Sequence, residues 1–471
     1  MKFPLAGALL ALAIAALPAD ADDARPWQEQ VLDGYHAFDP TAADTPKALA
    51  TLIERGERLF KGKFVIEEGA GRPEATQAII PTKRRRPAAE SHQRLSGPDA
   101  NSCQGCHFDP VLGAGAPFSS NAFVSEGFDA ADFDTTDPQF SNERNSIALQ
   151  GAGLVELLAR EMTADLHRQR REALRTARRT RDPFRQALSS KGVSFGEITA
   201  SPDGRIDLTK IEGIDSDLVI RPFSHKGVIV SLRQFAVNAL NSHVGIEADE
   251  RFGARWTGTA DFDGDGREDE IGPGDISALV AFKATRPAPT RKTDLPEDWQ
   301  QAAASGEALF SQIGCASCHI PALPLDSAVF EDPGPLDTAG TLRRAEVERP
   351  IRFDLAEFPW AKGLERDDRG RLLVPLFGDL KRHQISDTRN ERLGNELIAQ
   401  RFVDRDVFMT AELWGVGSTA PYGHRGDLTT LDEVILAHAG EATDARKAYT
   451  ALQDADRQTI IAFLRSLEIA E

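Results

Sequence analysis

Sulfur is scarce in this chain. Its 471 residues include four cysteines and three methionines (Met1, Met162 and Met409), and histidine numbers ten. The cysteines fall into two tight pairs, so a scaffold built on disulfides is not the first reading. Positive charge is also in deficit: 55 Lys and Arg stand against 73 Asp and Glu, a net charge of −18. That balance argues against nucleic acid or an anionic membrane as the main partner, and leaves a basic protein partner open. Strand signals are few, Val228-Ile229-Val230 being too short to tell a strand from a buried turn. The expected fold class is mainly α, and the length suits at least two domains.

Long apolar runs are missing beyond the N-terminus. There, Lys2 precedes an apolar stretch from Leu5 to Leu17 and the small-residue site Ala19-Asp20-Ala21. This is the pattern of a secretory signal, and the stretch is short of the ~20 residues a membrane span needs. Residues 1–21 are read as a signal peptide and the remainder as periplasmic or secreted, with no membrane span.

A motif recurs. Residues 46–60 end in G-E-R-L-F and residues 295–310 end in G-E-A-L-F, each at the close of a helical pattern. Residues 275–285 and 458–467 also match, with apolar positions at helical spacing. Between the halves lies 286–296, R-P-A-P-T-R-K-T-D-L-P, rich in proline and charge. The chain is accordingly divided into an N-terminal unit 22–286, a linker 287–294 and a C-terminal unit 295–471. The first unit carries an insertion between Phe60 and Cys103 that includes the basic loop 83–87. Residues 153–180 read as one long helix, with Leu154, Leu158, Met162 and Leu166 on one stripe and arginines after them.

All four cysteines sit in S-C-Q-G-C-H (102–107) and G-C-A-S-C-H (314–319). C-x-x-C-H is the attachment motif of c-type haem. Two thiols three residues apart can each form a thioether to a vinyl group, and the next histidine then meets the iron from the same turn. A zinc site would need ligands that no further cysteine supplies. A thioredoxin-like centre would need one C-x-x-C beside a βαβ pattern, which is missing here. Two covalent haem groups are expected, one on Cys103, Cys106 and His107 and the other on Cys315, Cys318 and His319.

The run F-M-T-A-E-L-W-G-V-G-S-T-A-P-Y-G-H-R-G-D-L-T-T-L-D-E-V-I-L-A-H-A-G (408–440) resembles the second domain of bacterial di-haem cytochrome c peroxidases. The segments 97–107, 142–162 and 261–271 resemble more closely the di-haem oxidoreductases once labelled thiol oxidoreductases. The resemblance implies two cytochrome c-like domains with long loop insertions. In the peroxidases a Met-Gly lies fourteen residues after the histidine of A-P-Y-x-H and ligates the second haem; here that position is His438, before Ala439-Gly440. A His319/His438 haem is implied, at lower potential than a His/Met one. His424 is expected to orient the loop or meet a propionate, and His383 to join a pocket network. The sixth position of the first haem is left open, with His225 and His243 as candidates. Glu156 matches the segment in which these families place a distal glutamate, the acid–base group that peroxide cleavage requires. Pairing with Arg160 at i+4 is its structural alternative.

D-F-D-G-D-G-R-E-D (261–269) has the oxygen-ligand spacing of a calcium loop, with Asp261, Asp263, Asp265 and Asp269 as ligands and Gly266 at the turn. Position 12 is Gly272, so the bidentate carboxylate is missing unless Glu270 or Asp275 substitutes. The expected protein is a peroxidase-like di-haem oxidoreductase served by a redox partner such as a small cytochrome or cupredoxin. A non-catalytic electron carrier and an oxidase acting on a protein or organic substrate are the rivals.

Overall fold

The computed structural model describes residues 29–32, 46–71, 100–124, 141–337, 340–394 and 402–469. The signal segment 1–21 and the basic loop 83–87 lie outside the described residues. Ten α-helices run in chain order among the described residues. They are α1 (Pro46–Lys61), α2 (Ala152–Thr180), α3 (Leu232–Ala239), α4 (Asp249–Phe252), α5 (Ala254–Thr257), α6 (Pro273–Ala284), α7 (Glu297–Gln312), α8 (Leu431–Ala437), α9 (Thr443–Ala451) and α10 (Asp454–Arg465). None is long and apolar enough to cross a membrane.

The helix ends follow local chemistry. α6 opens with Pro273 in its first turn, where a missing N–H costs nothing, and Asp275 complements the helix dipole. α7 opens on Glu297 and Asp298, and α10 runs from Asp454 and Asp456 to Arg465. α8 has a capping box: Thr430 Oγ1 accepts from the Glu433 N–H at 3.1 Å and Glu433 Oε2 from the Thr430 N–H at 3.0 Å. α2 matches the expected long helix, with Leu154, Leu158, Met162 and Leu166 fully buried and the arginine-rich half outward.

The repeated G-E-x-L-F motif is a helix-crossing device. A Cβ on Gly56 would lie 2.0 Å from the Ala278 carbonyl oxygen on α6, and one on Gly306 would lie 1.9 Å from the Thr459 oxygen on α10. Only glycine lets the paired backbones approach this closely. The motif phenylalanines then fill equivalent places. Phe60 packs on Phe282 (centroids 5.0 Å apart) and Phe310 on Phe463 (5.5 Å).

The expectation of a mainly α chain is corrected. Among the described residues, 39% are helical and 17% are in strands, a mixed architecture with several small sheets. The stretches read as loop insertions pair as short antiparallel strands. The largest set is a three-stranded meander of β3 (Phe184–Ser190), β4 (Val193–Ala200) and β5 (Ile206–Ile211), which follows β1 (Ser119–Val124) and β2 (Ser141–Asn145). Strands of this length carry too few alternating residues to stand out from loop, and pairing decides them. Val228-Ile229-Val230 forms no strand; Ile229 makes only an isolated bridge to Phe223. Within the proline-rich stretch 286–296, β6 (Thr290–Arg291) pairs with residues Leu467–Glu468.

Two main hydrophobic cores result. The smaller joins Ala303 and Phe310 of α7 to Tyr449, Ile460 and Phe463. The larger unites α1, α2, α3 and α6 with Leu323, Phe330, Phe353, Val374 and Trp414 from the C-terminal half. Beneath it, the fully buried Arg233 of α3 donates to Glu250 (2.9 and 3.1 Å), to Asp332 (2.7 Å) and to the Pro273 carbonyl (3.1 Å). A buried guanidinium is tolerated only when so paired. This network anchors α3 and, through it, the π-turn Leu240–Val244 that carries His243.

Candidate functional site

The two C-x-x-C-H motifs fold alike. The His107 N–H donates to the Cys103 carbonyl at 3.1 Å, and the His319 N–H to the Cys315 carbonyl at 3.0 Å. Each motif is thus one tight turn that presents two thiols and an imidazole together. Each ring is oriented in the same way: His107 Nδ1 donates to the Ala114 carbonyl and His319 Nδ1 to the Phe377 carbonyl, both at 3.2 Å. Such a bond fixes the tautomer and leaves Nε2 as a metal ligand. Behind the rings stand the motif phenylalanines, Phe60 at 6.2 Å from His107 and Phe310 at 6.1 Å from His319. Burial holds both imidazoles down to about 4, so they are neutral, the form that binds a metal.

The thiols do not read as reactive. Burial pushes Cys103 and Cys315 up to about 11, so they lack the thiolate that zinc binding or thiol exchange requires. Among the described residues, neither motif gathers its own two cysteines and histidine into a metal-sized cluster.

A cavity of about 750 Å³ opens against the first motif. Its wall includes Cys103, Cys106 and His107, and mostly apolar side chains besides. It is within the range of sites that enclose a cofactor, and its composition suits a flat apolar macrocycle with polar edges. His225, His243, Met409 and His424 all line it. His243 lies close enough for its charge to weigh on His107. Burial holds His225 and His243 down to about 4 as well. His225 Nε2 donates to the Asn145 carbonyl at 2.9 Å, and its ring meets His424 edge-on at 5.3 Å. His424 Nδ1 donates to the Leu393 carbonyl at 3.2 Å, and the ring stacks on Phe408 at 3.6 Å. The A-P-Y-G-H loop is therefore turned toward the first motif's cavity. Met162 is buried in the core, and His167 bonds the Asp217 carbonyl at 2.8 Å.

At the second motif, His438 caps the C-terminus of α8 and donates from Nδ1 to the Val434 carbonyl at 2.6 Å. Burial, with the Val434 bond opposing it, lowers its pKa, and a charge on it would disfavour one on His319. His383 belongs here too. Its Nε2 lies 2.8 Å from Asp379 and its Nδ1 2.7 Å from Glu441, and it clusters with Cys318 and Asp379. Burial opposes its charge, but the hydrogen bonds and charges of Asp379 and Cys318 outweigh burial and raise it to about 11. This clamp ties the loop after His438 to the loop after Phe377.

Glu156 is fully enclosed but does not line the cavity; Ala152 and Val155 of the same helix do. Its carboxylate accepts from the Leu232 N–H at 2.7 Å and pairs with Arg160 at 2.5 Å. Burial raises its pKa and Arg160 lowers it, with a net rise. Lys283, on α6, reaches the cavity and donates to the Leu232 carbonyl at 3.1 Å. Burial pulls Lys283 down to about 8, and Glu156 pulls it back up. Sequence reasoning passed over Lys283, which bears no local signal. Glu412, also in the cavity wall, was missed likewise; burial pushes it up to about 7. Trp414 lines the cavity while its neighbours Leu413 and Val416 pack on the second core. It falls inside the 408–440 run and could have been singled out from it.

At the acidic loop, Asp261, Asp263 and Asp265 come within one metal-sized cluster, and Asp263 also clusters with Glu247 and Glu270. Asp269 belongs to neither group; its N–H donates to the Ala260 carbonyl at 3.1 Å.

No curated protein matches the chain. Among solved structures, hydrazine synthase of Kuenenia stuttgartiensis is 12% identical over 99% of this chain and 100% of that one, with a TM-score of 0.40. The Y-to-M variant of the diheme peroxidase BthA from Burkholderia thailandensis is 14% identical over 92% and 87%, with a TM-score of 0.36. A MauG-like protein associated with microbial copper homeostasis is 17% identical over 58% and 77%, with a TM-score of 0.28. The family described as "Di-haem oxidoreductase, putative peroxidase" matches residues 376–467, which include the 408–440 run, so the resemblance to di-haem oxidoreductases is borne out there, and haem is the cofactor that this family implies.

Proposed function

We propose that the chain is an exported di-haem c-type oxidoreductase of peroxidase-like activity. Two units, 22–286 and 295–471 joined by 287–294, would each hold one haem through Cys103, Cys106 and His107 or Cys315, Cys318 and His319. The observation that carries this reading is the duplicated frame: the same turn, the same Nδ1 bond and the same phenylalanine stand behind both histidines. When bound, the haem groups would supply one-electron redox chemistry and an iron site for an oxygen-containing substrate. His438, oriented by the Val434 carbonyl, would help hold the iron of the C-terminal haem, which would supply electron relay. Trp414 lines the first cavity while its chain neighbours Leu413 and Val416 pack on the second core. The first cavity is the reaction centre. Glu156, behind the cavity wall and sharing Leu232 as a hydrogen-bond partner with the cavity-lining Lys283, would be the acid–base group. The donor is a redox protein such as a small cytochrome or cupredoxin, met outside the cytoplasm.

One observation favours a second reading, a non-catalytic electron carrier. His243 lines the first cavity near His107, where it could complete a six-coordinate iron. A visible and EPR spectrum of the oxidised and half-reduced protein separates the two. A high-spin signal that cyanide shifts, together with peroxide turnover, is the result expected. Two low-spin irons in every redox state, inert to peroxide, would establish the carrier. In the enzyme, Glu156→Gln should lower turnover by about 10²–10⁴-fold with both haem spectra unchanged.

A further inference from the structure

The acidic loop gains ligands that its own spacing does not contain. Asp261, Asp263 and Asp265 have their carboxylate oxygens within 4.8 Å of one another, and so do Glu247, Asp263 and Glu270. Asp263 belongs to both groups and is fully buried. Glu247 and Glu270 are 5% and 9% exposed. Glu270 accepts the Glu247 N–H on Oε2, while its Oε1 is buried without a hydrogen-bond partner. A buried carboxylate oxygen left in this condition, among three or four other carboxylates, is costly unless a cation joins them. The charges of Asp263, Glu247 and Asp265 all bear on Glu270, and with burial they raise its pKa well above the usual carboxylate range. The donors are all hard oxygens, with no imidazole or thiolate. A set of several carboxylates suits Ca²⁺, which takes six to eight oxygen ligands in flexible geometry, better than Mg²⁺, which keeps several of its waters, or Zn²⁺, which favours imidazole and thiolate.

We propose that Asp261, Asp263, Asp265, Glu247 and Glu270 hold one Ca²⁺, the two glutamates supplying what the loop lacks at its twelfth position. Asp269, the ninth residue of the loop, is not a ligand. Glu247 comes from outside the loop. It follows Gly245, which closes the π-turn bearing His243, and Ala248 bridges to Ile271 at the loop's end. The ion therefore staples the loop to the segment that delivers His243 to the first cavity. The site stands on its own residues and does not rest on the haem reading.

The test is calorimetric titration of the EGTA-treated holoprotein with CaCl₂, and separately with MgCl₂. One Ca²⁺ per chain is expected, bound at least tenfold tighter than Mg²⁺. Glu270→Gln and Glu247→Gln should each weaken Ca²⁺ binding at least tenfold, and Asp269→Asn should leave it within twofold. Circular dichroism and pyridine haemochrome content, measured on each protein, establish folding and haem loading. A folded, haem-loaded wild type that takes up no Ca²⁺ would overturn the proposal and leave the haem sites untouched. Asp269→Asn losing as much affinity as Glu270→Gln would overturn the ligand set. Ca²⁺ uptake by a chain without haem would support the metal site while the haem reading failed.

Discussion

Gly306 is the sharpest place to test whether the repeated motif works as a helix crossing. An alanine Cβ there would lie 1.9 Å from the Thr459 carbonyl oxygen, 2.4 Å from its carbon and 2.8 Å from the Ile460 nitrogen. Ordinary contact begins at 3.4 Å, so α7 and α10 would have to separate by about 1.5 Å. All three atoms are backbone, and no rotamer change relieves them. Alanine raises helix propensity by about 1 kcal/mol over glycine, whereas overpacking costs about 1–3 kcal/mol and the worst cases more. The structure puts this site at the severe end, so a net loss of about 1–2 kcal/mol is expected, a roughly 5–30-fold shift in the local folding equilibrium. Gly56→Ala should behave alike, since its Cβ would meet the Ala278 oxygen at 2.0 Å. Gly363→Ala is the control, as nothing lies within 4 Å of its Cβ, and it should be neutral within about 0.5 kcal/mol. Urea unfolding of the holoproteins, followed by circular dichroism and by Soret absorbance, reads both the helix pair and the histidine behind it. Gly306→Ala should lower the midpoint and disturb the Soret band, because Phe310, one turn on, backs His319. Equal midpoints for Gly306→Ala and Gly363→Ala would refute the crossing, and with it the equivalence of the two frames.

Other outcomes follow from the same structure. His438→Met should raise the potential of one haem and add the weak near-infrared band of iron–thioether ligation, as redox titration and spectroscopy would record. Burial raises Asp337 to about 7 from 3.8, with Glu156 adding to the rise. The folded state then binds the proton that the unfolded state has released, so stability should fall as pH rises from about 4 to about 7. The loss is at most about 4 kcal/mol, and Asp337→Asn should flatten it in unfolding curves across that range. Arg233→Met would leave Glu250 and Asp332 buried without their shared cation and should cost about 3–5 kcal/mol in denaturant unfolding.

The two C-x-x-C-H turns were legible in the chain itself. C-x-x-C-H is contiguous, so its turn and its histidine are set by local geometry, and both copies fold as the spacing implies. The long helix read over 153–180 was equally plain and folds as Ala152–Thr180, because a stripe of apolar residues at helical spacing marks its first half. The repeat of G-E-x-L-F was visible, although its purpose was not: a glycine announces a close approach only once the partner backbone is known.

Other features depended on tertiary structure for an equally physical reason. Strands of a few residues have no stability apart from their partners, so the small sheets could not be told from loops. Lys283 and Glu412 have no neighbours in sequence that mark them, and His243 was one of two candidates that the sequence left open; only the packing of α3, α6 and the 408–414 stretch gathers them around one cavity. Glu156 was found from its segment, yet whether it faces the cavity or stands behind its wall is a question of helix rotation. The carboxylates of the acidic loop show the same division. Spacing along the chain points to Asp261, Asp263 and Asp265, but Glu247 reaches them from another segment and Glu270 turns inward where Asp269 does not. A sequence determines which groups a turn can present together; which groups distant segments bring to the same point is decided by the fold that buries them.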